Sequence, residues 1–232
     1  MKKILVLALS IIFLAACSRE DGNLMYVKGK VKGLKKGTLY LQKQVDTLIV
    51  SVDSVFVDGT DSFVMQDAIE TPEMYYLALG SGDKKIAFFG EKDTITIQTD
   101  LDKFALRARI SGSENQAKLD EYYEMSKKFN DQNLDLIKEE FEARKLGSQD
   151  SIDEVGRKLK SWTRRKYLYT TNFAINNSDY EVSPYIALTE LVDANVTLLD
   201  TINNSLSEEV RASKYGKQLE EFIKTVKENQ PE

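Results

Sequence analysis

The 232-residue chain contains no histidine and a single cysteine. It therefore lacks the side chain that most often serves as a general base near neutral pH and as a metal ligand, and one thiol cannot form an internal disulfide or a dithiol couple. No apolar run reaches the roughly 20 residues a membrane-spanning helix needs. A phosphate-cradling glycine loop is also missing: Gly29, Gly33 and Gly37 are spaced by four within strand and turn text, with no lysine-serine pair or helix after them. EF-hand spacing does not occur. Acidic pairs such as Glu139 and Glu140, or Glu208 and Glu209, lie next to each other on predicted helices, where side chains diverge and do not converge on one pocket. No catalytic residue, cofactor or metal site is assigned from the sequence. What is present, 42% hydrophobic and 30% charged residues, is ordinary globular composition.

The N-terminus carries an address. Lys2 and Lys3 precede an apolar stretch from Ile4 to Leu14, and Ala15 and Ala16 lead to Cys17. This is the layout of a secretion signal over residues 1–16. The stretch LAAC, Leu14 to Cys17, resembles the bacterial lipobox, in which the cysteine thiol receives diacylglycerol and becomes the first mature residue. An ordinary signal-peptidase site would want a small residue where Leu14 stands. Cys17 is therefore expected to be lipidated, with residues 17–24 as a tether to the membrane. Removal of Lys2 and Lys3 leaves 30 basic against 37 acidic residues, a net charge of −7, so no nucleic-acid partner is expected. Glu20 and Asp21 resemble an acidic surface-export signal, or are a plain solvated linker. The expected location is the outer membrane, on its periplasmic face or at the cell surface.

Two periodicities divide the body. Residues 25–110 alternate with period two and carry turn residues at short intervals, which predicts about eight strands in an antiparallel β-sandwich. In Met25 to Lys32 the lysines fall on one face and Val27, Gly29 and Val31 on the other. Asp58-Gly59 predicts a hairpin between Leu48–Val57 and Phe63–Met65. Residues 111–228 switch to the helical period, so the fold class is α+β, a sandwich followed by a helical hairpin or bundle. Ser113 with Gln116 predicts a capping box. Ile152, Val155, Leu159, Trp162, Lys166, Tyr169 and Phe173 form a heptad seam that folds back on the preceding helix across Gly147–Gln149. Lys166 is expected level with Asp131. Ser183-Pro184 predicts the start of a third helix, Ser207 the cap of a short fourth, and Lys214 to Lys227 a last one, with residues 229–232 fraying.

The strings YVKGKVKGLKKGTLYL from Tyr26 and DSVFVDGTDSFVM from Asp53 resemble a Bacteroidetes domain of unknown function that starts many envelope lipoproteins. ISGSENQ from Ile110 and SKYGKQLEEFI from Ser213 resemble later stretches of the same proteins. The resemblance implies a β-domain, a helical segment and then a thioredoxin-like disulfide reductase domain. This sequence holds no Cys-x-x-Cys, so the family's redox activity is not carried over.

Three features remain as binding or modification candidates. Trp162 and Tyr169 lie on the seam, whereas Tyr123 and Tyr167 lie off it and are candidates for a partner surface. Arg164, Arg165 and Lys166 with Lys158 and Lys160 make a basic patch, usually a solvated face. Aspartate followed by Ser or Thr and an aliphatic residue occurs at Thr47, Ser54, Thr94, Ser151 and Thr201, where about one match is expected by composition. The pattern resembles an O-glycosylation sequon of Bacteroidetes envelope proteins, while turn and capping chemistry is the plainer explanation. The functional expectation is a non-enzymatic, lipid-anchored binding module. The alternative is an accessory subunit that docks a separate thioredoxin-like reductase, which would call for an apolar outer face on the last helix.

Overall fold

The computed structural model describes residues 23–80, 82 and 84–229. The predicted signal peptide, Cys17 and residues Glu20, Asp21 and 230–232 lie outside the described residues. Among the described residues eight strands come first: β1 Leu24–Lys32, β2 Lys36–Val45, β3 Leu48–Asp58, β4 Ser62–Ala68, β5 Glu73–Leu79, β6 Lys85–Gly90, β7 Asp93–Asp100 and β8 Arg109–Ser111. They form two four-stranded sheets, ordered β4-β1-β7-β8 and β3-β2-β5-β6, as an α+β architecture requires of its β layer. Between the sheets Met25, Val27, Leu39, Leu41, Ile95 and Ile97 are fully buried. Alternation carries this arrangement: Val27 and Val31 of β1 turn inward while Tyr26, Lys28, Lys30 and Lys32 are exposed.

Three strand features depart from the sequence expectation. The pair β1 and β7 is parallel, with Val27 opposite Ile95, although every other pair is antiparallel. The predicted hairpin through Asp58-Gly59 does not form: β3 pairs with β2, while β4 pairs with β1 in the other sheet. Gly59 does turn the chain, at φ 74°, but the turn carries it across to the first sheet, where Phe63 and Met65 enter the core. The tight hairpin is instead β2–β3, closed by Asp46-Thr47 with Asp46 in the left-handed region at φ 53°.

Six helices follow: α1 Glu114–Leu146, α2 Gln149–Asn176, α3 Val182–Glu190, α4 Val196–Ser205, α5 Glu208–Ala212 and α6 Lys214–Glu228. Helix α1 starts as predicted, with Ser113 Oγ accepting from Gln116 N at 2.9 Å. The box is not reciprocal, because the Gln116 side chain accepts from Phe89 N and donates to Asp120. Gly147 at φ 67° ends α1 and Ser148 caps α2, so the two long helices fold back as a hairpin. Lys166 does not meet Asp131; it pairs with Glu190 at the end of α3, 3.0 Å away, because α3 packs against this level of α2. Trp162 instead reaches α1, donating to the Phe129 carbonyl at 3.0 Å. Ser183 is not a cap. Helix α3 begins at Val182, and the Ser183 hydroxyl donates to the Ala174 carbonyl inside the core. Helix α4, absent from the sequence expectation, is capped by Asn195 and buries Leu199 and Ile202.

The helices cover the outer face of the second sheet. Strand β5 is enclosed on both sides: Tyr75 and Leu77 face the other sheet, whereas Met74 packs with Phe89 against Leu119, Tyr122, Ile186 and Tyr215. This explains why β5 and β6 are apolar runs where β1 alternates. Gln116 also satisfies the free edge of β6 by accepting from Phe89 N at 2.8 Å. Among the described residues, no helix is long and apolar enough to cross a membrane.

Candidate functional site

Two polar clusters tie the sandwich to the helices. In the first, Lys43 Nζ donates to Asp67 Oδ2 at 2.7 Å and lies 3.7 Å from Glu73, whose other oxygen takes Lys214 at the start of α6. Tyr75 donates to Asp67 at 2.8 Å, and Tyr215 accepts from Met74 N at 3.0 Å. Burial first, and then the hydrogen bond to Asp67, pushes the Tyr75 hydroxyl far above its ordinary range, so it is held as a donor. Lys214 Nζ also donates to the Gln44 carbonyl, at 2.9 Å, closing the cluster over the end of β2.

In the second cluster, Asn115 Nδ2 donates to Glu91 at 2.9 Å and to Glu181 at 3.0 Å, while its carbonyl oxygen accepts from Val182 N at 2.8 Å. Glu91 also accepts from Glu114 N at the start of α1. One amide thus clamps the first turns of α1 and α3 to the β6–β7 connection, which satisfies exposed helix-end donors. The clamp brings Glu91 and Glu181 together around Asn115, and sequence spacing did not single them out because they come from separated elements. Glu139 and Glu140, by contrast, are taken up separately by Lys158 and Arg144. No group of three or more acidic or thiol side chains is placed to hold a metal among the described residues.

Burial, reinforced by Glu209 and Glu91, raises the Glu181 carboxyl above its ordinary value of 4.5, against the lowering effect of its hydrogen bonds. Just above that ordinary value the folded protein keeps a proton that the unfolded chain has lost. Stability therefore falls as pH rises through that window. Glu181→Gln keeps an acceptor for Asn115 and removes the charge. It is expected to raise the urea midpoint at pH 7.5 and to leave it unchanged below pH 4, and the same rise at both pH values would contradict this account.

A broad, open groove with a mainly apolar wall lies between α2 and α4. It has a volume of about 730 Å³ and is lined by Leu159, Tyr167 and Leu168 on one side and Leu198 on the other, with Lys160 and Arg164 at its rim. Tyr167 is half-buried against the helical core and forms part of the groove wall. Of the predicted basic patch, Lys158 is neutralised by Glu139 and Glu154, and Lys166 by Glu190. Lys160, Arg164 and Arg165 form no ion pair among the described residues, so their charge is available to a ligand. Tyr123 is 43% exposed but lies elsewhere, with its ring 5.9 Å from Tyr122. Of the two candidate tyrosines, Tyr167 lines the groove and Tyr123 does not.

The eight strands and the first two turns of α1 form one packed unit, because Gln116 and Leu119 complete the cover on β6. Residues 25–119 match the family described as a domain of unknown function, DUF4369. The DUF4369 region therefore ends inside α1 at Leu119, and the groove lies outside it. No curated protein and no solved structure matches the chain.

The five aspartate-led sequons fall in different settings. Thr47 in the β2–β3 turn, Ser54 on edge strand β3 and Thr201 on α4 are exposed. Thr94 is partly covered in β7, and Ser151 is engaged with the capping Ser148. Their aspartates have structural work: Asp46 and Asp93 take left-handed φ angles, Asp53 accepts from Gln66 N, and Asp200 pairs with Lys227.

Proposed function

We propose that the chain is a lipid-anchored cell-envelope protein, held at the outer membrane through acylated Cys17, and that its helical half is a binding module. Two observations support this reading: the LAAC stretch at the N-terminus, and the groove between α2 and α4. The groove carries the argument for binding, since it joins an apolar wall at Tyr167 and Leu168 to two unpaired cations on an otherwise acidic chain. The ligand chemistry that fits is an acidic protein segment presenting one or two apolar side chains. A role in docking a separate thioredoxin-like reductase through α6 receives less support. That helix turns Leu219, Phe222 and Ile223 into the core and presents Lys217, Glu220, Glu221 and Lys224 outward. Any glycan is expected on Thr47, Ser54 or Thr201, and intact mass reads it.

Cys17→Ser is expected to move nearly all of the protein from the membrane to the soluble fraction and to remove the acyl mass. Lys160→Glu with Arg164→Glu should leave anchoring intact and reduce the partner cross-linked in the envelope at least tenfold. An unchanged cross-linking profile would sink the groove, and membrane retention of the Cys17→Ser protein would sink the anchor.

A further inference from the structure

Helix α1 uses one stripe, Tyr122, Ser126, Phe129, Leu136 and Ala143, to pack inward and against α2. A second stripe runs one residue out of step with it, about 100° round the helix. Its members Leu134, Ile137 and Phe141 are 56%, 49% and 66% exposed. The described chain leaves about half or more of each open to solvent. The stripe occupies the distal part of the hairpin, where Ala143 is the one buried residue of α1 beyond Ser126. Spacing of three and four over large apolar side chains is the pattern of a helix–helix seam.

We propose that this stripe is the interface between two copies of the chain, packed as antiparallel hairpins about a two-fold axis at Ile137. The positions are self-complementary, as a two-fold contact requires. Leu134 lies three residues before Ile137 and Phe141 four after it, so the axis sets Leu134 of one copy on Phe141 of the other and Ile137 against its own counterpart. Charge agrees with this register. Asp131, which forms no ion pair among the described residues, comes beside Arg144 and Lys145 of the second copy, twice over; Arg144 is shared with Glu140 of its own helix, and the largely exposed Lys145 lies only loosely beside Glu142, at 4.0 Å. Lys138 near the axis is held by Asp135 at 3.1 Å and Glu140 by Arg144 at 2.6 Å, which moderates like-charge contacts. The overlap runs over residues 129–146, about 27 Å of helix at 1.5 Å per residue. The two bodies then stand at opposite ends and do not collide. An interface of this length belongs to the small, reversible class, and attachment of both copies to one membrane favours it by raising local concentration.

The test uses the full chain in native membranes. Cys17 is the only cysteine, so Ile137→Cys supplies the one free thiol of an acylated protein, and copper-phenanthroline oxidation should give a disulfide-linked dimer. Lys224→Cys, on the outer face of α6, serves as the collision control, and the unsubstituted chain reports any free Cys17. Dimer yield for Ile137→Cys is expected to exceed the control at least fivefold. It should fall to the control level when Asp131→Lys is added and recover when Lys145→Asp and Arg144→Asp are added as well. Equal yields at positions 137 and 224, or a yield indifferent to Asp131→Lys, would overturn the proposal. Dimer from the unsubstituted chain would instead indict the acylation of Cys17.

Discussion

Gly29→Ala is expected to lower the stability of the protein by about 4–5 kcal/mol or more, an exceptional cost for adding one methyl group. Gly29 sits in β1, opposite Phe63 of β4 on one side and Ile97 of β7 on the other. A Cβ there would lie 1.7 Å from the Ile97 carbonyl oxygen and 3.1 Å from the Phe63 ring. The obstacle is backbone, so no side-chain rotation relieves it. Since β1 is an inner strand, moving it from β7 also strains its ladder with β4, and the whole first sheet is affected. Domains of this size are stable by roughly 5–15 kcal/mol, so much of the reserve would be lost. Gly156→Ala is the matched control. Nothing lies within 4 Å of its added Cβ, the site is inside α2, and a gain of about 0.5–1 kcal/mol is expected from helix propensity alone. Urea titration of both variants decides the matter: a Gly29→Ala midpoint near that of the native protein would falsify the close approach of β1 and β7.

What local pattern governs was legible before the structure, and what distant pairing governs was not. The lysine alternation of β1, the glycine stop at Gly147 and the heptad seam of α2 are one-element properties, and each appears where period and turn chemistry place it. The parallel pairing of β1 with β7 joins Met25 to Asp93, and nothing in either segment encodes that partner. The β3–β4 connection misled because Gly59 fits a hairpin turn as well as a crossover. Helix α4 escaped because Val196, Thr197 and Thr201 are weak helix formers; burial of Leu199 and Ile202 outweighs that local preference. The candidate surface shows the same division. Tyr167 stood out as an aromatic off the seam, but the opposite wall of its groove is Leu198 on α4, which was not expected to be a helix. Nor does sequence distinguish Lys160 and Arg164 from Lys158 and Lys166; only the positions of Glu139 and Glu190 show which cations are already neutralised.

Glu73 is one anchor of the join between sandwich and helices, and Glu73→Gln is expected to cost about 2–3 kcal/mol, at or just below the lower limit of what breaking a buried ion pair costs. Glu73 is largely buried and lies between Lys43 and Lys214, which come from β2 and the first residue of α6. The substitution preserves size and shape, so its effect is electrical. Lys43 keeps Asp67 at 2.7 Å, whereas Lys214 keeps only the Gln44 carbonyl at 2.9 Å and becomes a half-buried cation without an anion. The expected loss is therefore concentrated at α6. Its first turn also holds Tyr215, whose hydroxyl accepts from Met74 N, so the sheet-to-helix contact should loosen with it. Removing the cation as well tests this. Lys214→Met in the Glu73→Gln background should recover most of the stability, because the neutral pair leaves no buried charge unmatched, and the double-mutant cycle should give a coupling of about 2 kcal/mol or more. A cost below about 0.5 kcal/mol for Glu73→Gln, together with strict additivity, would place the cluster among solvated surface pairs. The join would then rest on the packing of Met74, Phe89 and Tyr215 and on the Asn115 clamp.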